Sequence, residues 1–127
     1  MSHICVKNCM ERLERLEVYS RTSGRDLHIS AEFYARAQKT FQYITSAFDY
    51  AKTQFKLVNL PVLESVIFKL RDLFTSLGCD RLSYLFECIF ENLSLTRLKV
   101  VEGLLDVGEH EIRLACKAWT HQGQSFG

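Results

Sequence analysis

The chain has 127 residues, 47% of them apolar and 24% charged, with 16 Lys and Arg against 15 Asp and Glu. This is enough length for one hydrophobic core and too little for two, and the composition suggests neither a disordered nor a membrane-embedded chain. A charge balance near zero supplies no bulk basic field of the kind that drives nucleic-acid binding.

No apolar run approaches the length needed to cross a bilayer, and the opening MSHICVKNCMERLERLE is amphipathic and charged, unlike a secretory leader. A cytoplasmic protein is expected, with no membrane and no nucleic-acid partner. The five cysteines, Cys5, Cys9, Cys79, Cys88 and Cys116, are odd in number and scattered on apolar helix positions, which predicts reduced and mostly buried thiols. Cys5 and Cys9 stand one helical turn apart near His3, but two or three ligands at a terminus do not close a tetrahedral site, and core packing is the expected role. Neither a metal nor a cofactor is expected.

In chain order, the first helix is predicted over about residues 3–21, with Val6, Cys9, Met10, Leu13 and Leu16 on one face. RTSGRDLHI then breaks the pattern. Ser30 is a suitable N-cap for a long second helix whose apolar seam reads Tyr34, Ala37, Phe41, Ile44, Phe48, Ala51 and Phe55 and ends near Leu57. Asn59 and Pro61 supply a cap and a first-turn proline for the third helix, with Leu63, Val66, Ile67, Leu70, Phe74 and Leu77 inward and Gly78 as its left-handed terminator. Asp80 is expected to cap the fourth, carrying Leu82, Leu85, Phe86, Ile89 and Leu93. Thr96 opens the fifth, whose seam is Leu98, Val101, Leu105, Ile112, Ala115 and Trp119, with Gly103 and Gly108 weakening or kinking its middle.

A lone proline and helical periodicity almost throughout predict an all-α fold: an antiparallel four-helix bundle over 30–120, preceded by a helix and loop over 1–29 and followed by a flexible tail over 121–127, all one domain. No Gly-rich phosphate loop, HExxH, CxxC or nucleophile elbow is present, so an enzyme is not expected. His28 falls in a loop and His121 in the tail, both surface positions. His110, heading HEIRL, is a minor candidate phospho-acceptor, and Asp106, Glu109 and Glu111 around it read as a solvated face.

The segment FKLRDLFTSLGCDRLSYLFECIFE, Phe68 to Glu91, resembles the histidine-containing phosphotransfer (HPt) domains of two-component signalling. The matching features are Leu70, the basic Arg71, the spacing to Gly78 and the following Arg81–Leu82. More loosely, the likeness extends over about residues 30–120 in helix number, order and length. The departures lie at the centre of the motif. Phe68 stands where the family carries its phospho-accepting histidine and has no nucleophilic atom, while Asp72 stands where the family has a small glycine that lets the partner approach. The resemblance therefore implies a degenerate, pseudo-HPt module without catalytic residues, which binds a receiver domain or histidine kinase without passing phosphate. Its partner-binding surface would comprise Phe68, Lys69, Arg71, Asp72 and Thr75. A general helical adaptor or regulatory subunit, and a phosphocarrier using His110, are the alternatives; as to assembly, either a monomer or a homodimer fits.

Overall fold

In the computed structural model the backbone is described for residues 31–124 and the side chains for residues 39–117. The helix expected over 3–21, the His3, Cys5 and Cys9 group, the Ser30 cap and His28 lie outside the described residues, as do the side chains of Trp119 and His121. Four α-helices follow one another: α1 (Ala31–Lys56), α2 (Leu60–Ser76), α3 (Asp80–Glu91) and, after a single 3-10 turn at Leu95–Arg97, α4 (Leu98–Gln124). No strand occurs among the described residues. None of the helices searched is long and apolar enough to cross a membrane. α4 is one helix as far as Gln124, so it takes in four residues that the apolar pattern assigned to the tail.

The first two joins use the same device. After α1 the backbone N–H of Asn59 donates to Gln54 O and that of Val58 to Phe55 O, both at 2.9 Å; after α2, Cys79 donates to Phe74 O at 2.9 Å and Gly78 to Thr75 O at 3.1 Å. These paired 6→1 and 5→2 bonds are Schellman terminations, which need a left-handed residue just past the helix end. Gly78 provides it at φ 74°, and Val58 provides it at φ 54°. The residue after each, Asn59 or Cys79, is at once the N-cap of the next helix, so the chain reverses in three residues.

Three expected helix starts are realised differently. Asn59 sits at the N-cap of α2 but makes no side-chain capping bond, because its Nδ2 donates to Gln54 Oε1 at 2.9 Å, across the join. The N-cap of α3 is Cys79, and Asp80 is the first helical residue, where its carboxylate favours the helix dipole without capping. Thr96 does not open α4 either; it lies within the 3-10 turn, its hydroxyl 3.1 Å from that of Ser94.

α2 packs against α1 and α3, and α4 against α3 and α1. Ile44, Phe48 and Ala51 of α1, Leu63, Ile67, Leu70 and Phe74 of α2, Leu82, Leu85, Phe86 and Ile89 of α3, and Val101, Leu105, Ile112 and Ala115 of α4 are buried together, as their spacing predicts. The middle of the core is aromatic. Phe86 meets Phe74 edge-on at 5.0 Å between ring centroids and Phe48 at 6.0 Å. Gly108 faces this group: a Cβ there would stand 3.4 Å from Phe48 and 3.5 Å from Phe86, in ordinary van der Waals contact, so the space beside α4 admits a methyl and little more. Gly103 has open space in the same test and α4 remains a single helix through both.

Two polar features depart from the periodicity. Glu111, expected on a solvated face, is only 3% exposed and accepts a bidentate pair from Arg81, Nε to Oε2 at 2.6 Å and Nη2 to Oε1 at 2.8 Å. Asn92, fully buried at the end of α3, donates to Cys88 O at 2.7 Å and accepts from Arg97 Nη1 at 2.9 Å. Both are satisfied in the way buried polar groups require. Cys79 and Cys116 are free thiols, as expected. Cys88 is not: it is disulfide-bonded. Helical position indicates that a sulfur is buried, but says nothing about which distant sulfur the fold brings to it.

Candidate functional site

Phe68, Arg71 and Thr75 recur at i, i+3 and i+7 along α2, so they share one face. Ser83, Glu87 and Phe90 recur at i, i+4 and i+7 along α3. In the folded chain the two rows meet rung by rung, in opposite order: Phe68 with Phe90, Arg71 with Glu87, Thr75 with Ser83. The three contacts make α2 and α3 an antiparallel pair.

At the first rung the Phe68 and Phe90 rings are tilted by 53° with centroids 5.8 Å apart. Phe68 remains 43% exposed while Phe90 is half-buried. The guanidinium carbon of Arg71 stands 4.8 Å from the Phe68 centroid and 5.9 Å from that of Phe90, within cation–π range of both. At the second rung Arg71 Nη1 donates to Glu87 Oε2, and Nη2 reaches Asp72 Oδ1 at 3.3 Å. The hydrogen bond to Glu87, more than any other influence, raises the Arg71 pKa above its ordinary value, so this guanidinium is permanently charged and already paired. At the third, the Thr75 hydroxyl donates to Arg71 O at 2.9 Å and lies 2.6 Å from Ser83 Oγ. Because the one Thr75 proton is committed to the carbonyl, Ser83 is the donor in that pair.

Of the five residues assigned to a partner surface, Phe68, Arg71 and Thr75 are thus brought together, Asp72 joins at the exposed edge, and Lys69 is exposed on the adjacent turn. Arg71 differs from expectation in one respect. It does not project as a free cation toward a phosphoryl group; it lies against two phenylalanines and is engaged by two carboxylates. Ser83, Glu87 and Phe90 belong to the same surface and were not singled out in the sequence. Their signal was present, since each pairs with its α2 counterpart at a constant sum of residue numbers, but only the reversal at Gly78 converts that regularity into contact.

His110 is exposed on α4 and takes no part in these rungs. Its neighbour Glu109 accepts from Lys52 Nζ and Arg113 Nη2, both at 3.0 Å. The Lys52 hydrogen bond, chiefly, holds the Glu109 carboxyl below the usual carboxylate range. These contacts tie α4 to α1 and build no acid–base pair on His110. Among the described residues no group of three or more His, Cys, Asp or Glu side chains is placed to hold a metal ion.

No protein-family model, no characterised protein and no solved structure matches this chain.

Proposed function

We propose that this chain is a non-catalytic protein-interaction module, a degenerate HPt-like domain that docks a receiver domain or histidine kinase on the outer face of the α2–α3 hairpin and passes no phosphate. The observation that carries this reading is the presentation of Phe68: a large ring, 43% exposed in mid-helix, backed by Phe90 and held by Arg71. A pre-organised aromatic with an adjacent arginine is the composition enriched at interface centres, and its ordering cost is met before binding. The same contacts argue against a relay, because Arg71 is held by Glu87 and Asp72, and Phe68 offers no nucleophile. An antiparallel four-helix bundle over 30–120 belongs to this reading, supported by the short joins and the shared core.

The test is titration calorimetry against receiver domains encoded by the same genome, with parent and Phe68→Ala protein. If the reading holds, a receiver binds the parent and the substitution weakens it by about 2 kcal/mol, roughly thirtyfold. Equal affinities, or no receiver bound by the parent, would overturn it.

A second reading, a general helical adaptor, is favoured by a different surface. Tyr43 and Tyr50 on α1 and Leu57, the first residue past its end, recur every seven residues and are all at least half exposed. Such a stripe suits a partner helix. Tyr50→Glu abolishing an association that Phe68→Ala leaves intact would favour this alternative.

A further inference from the structure

We infer that the end of the molecule built from the α1–α2 join and the α3–α4 connection docks peripherally on an anionic phospholipid surface, with Leu57, Val58 and Leu95 entering the acyl boundary and Lys56 and Lys99 at the headgroups. α2 and α3 run antiparallel, so the residues that precede α2 and those that follow α3 come to one end. Six large apolar side chains are well exposed among the described residues, and Leu57 at 67%, Val58 at 46% and Leu95 at 69% are three of them. The two most exposed of the six thus lie in different loops and share that end.

Both loops are held. The bond from Asn59 Nδ2 to Gln54 Oε1 pins the first, and the bond from Arg97 Nη1 to Asn92 Oδ1, with Asn92 Nδ2 on Cys88 O, pins the second. Little ordering is therefore left to be done on binding. Val58 adds a separate reason. It stands in the left-handed region at φ 54°, where a β-branched residue is disfavoured, and its side chain is exposed rather than packed in the core. A valine there costs the turn stability and returns none through burial, so the use of its side chain lies outside the fold.

Charge identifies the surface that this end meets. Residues 56–63 and 92–101 hold Lys56, Arg97 and Lys99 and no Asp or Glu; carboxylates begin at the boundary, with Glu64, Glu91 and Glu102. Lys56 and Lys99 are exposed, and neither has a carboxylate partner among the described residues. Exposed aliphatic side chains with lysines beside them fit the acyl boundary and the negative field of an anionic leaflet. Centres of protein interfaces instead favour Trp, Tyr and Arg, with Leu and Val under-represented, and these two stretches contain no aromatic residue. Peripheral contact needs no apolar run long enough to span a bilayer, so the lack of one, from which no membrane partner is expected, does not bear on it.

The test is co-sedimentation of the full chain with vesicles of equal parts phosphatidylcholine and phosphatidylserine, against vesicles of phosphatidylcholine alone. The parent should sediment with the mixed vesicles and stay in solution with the neutral ones, and added salt should release it. Leu95→Ser and Val58→Gly should each weaken partitioning roughly fivefold, and Lys56→Gln/Lys99→Gln roughly twentyfold. Val58→Gly also relieves the left-handed strain, so a variant that melts no lower than the parent yet binds vesicles more weakly separates lipid contact from damage to the fold. No partitioning of the parent, equal partitioning onto both kinds of vesicle, or variants that sediment like the parent would overturn the proposal. So would weaker receiver binding by Leu95→Ser with its sedimentation unchanged, which makes this end a protein contact.

Discussion

Val58 and Gly78 occupy equivalent places in equivalent turns, and only one of them suits a positive φ. A β-branched side chain in the left-handed region is disfavoured by about 1–2 kcal/mol, while glycine adopts it without steric cost. Val58→Gly should therefore raise stability by about 1 kcal/mol, and Gly78→Ala should lower it by a similar amount, both read from urea midpoints at unchanged m-value. A second residue-scale expectation concerns Cys79. Burial, above all, with the charges of Asp80 and Cys116 behind it, pushes its thiol up to about 12. In the unfolded chain the thiol ionises near 8.5, so the folded state holds the proton more tightly. The corresponding stability is complete below that unfolded value and is lost as pH rises toward 12, at up to about 1.4 kcal/mol per pH unit. Cys79→Ala should flatten this alkaline fall; an identical slope in parent and variant between pH 8.5 and 11 would refute the assignment.

At the scale of the elements, the α2–α3 ladder and the Arg81–Glu111 pair behave differently. Phe68 is partly solvated, so Phe68→Ala should cost the fold only about 1 kcal/mol through the lost ring contact, which keeps the binding test readable. Glu111 is enclosed, and removing its partner leaves a buried carboxylate uncompensated. Arg81→Met should cost about 3 kcal/mol, and adding Glu111→Leu should recover most of the loss, a non-additivity that a double-mutant cycle measures. In α4, Gly103→Ala should stabilise by about 1 kcal/mol, since nothing lies within 4 Å of the added methyl. The same change at Gly108 brings a methyl into ordinary contact with Phe48 and Phe86, and Gly108→Val should destabilise by overpacking. The glycine pair thus has two meanings that composition alone could not separate.

For the whole molecule, treatment with a small phosphodonor should leave no acid-labile phosphate, because Phe68 cannot accept it and Arg71 is engaged by Glu87 and Asp72; phosphate on His110 would reverse this. The all-helical fold, the number of the four described helices, Gly78 as a terminator and most buried apolar positions were legible in the sequence. They depend on the 3.6-residue period and on local turn chemistry, which each segment carries by itself. The tertiary structure alone decided the rest: that Arg71 meets Glu87, that Glu111 is buried on Arg81, that Val58 takes the glycine's place, and that Cys88 is bonded while Cys79 is not. Each of these joins groups from elements separated along the chain or depends on a backbone angle set by two packed helices. Such partners are chosen by which faces close on the common core, a choice made by the assembled chain rather than by any window of it.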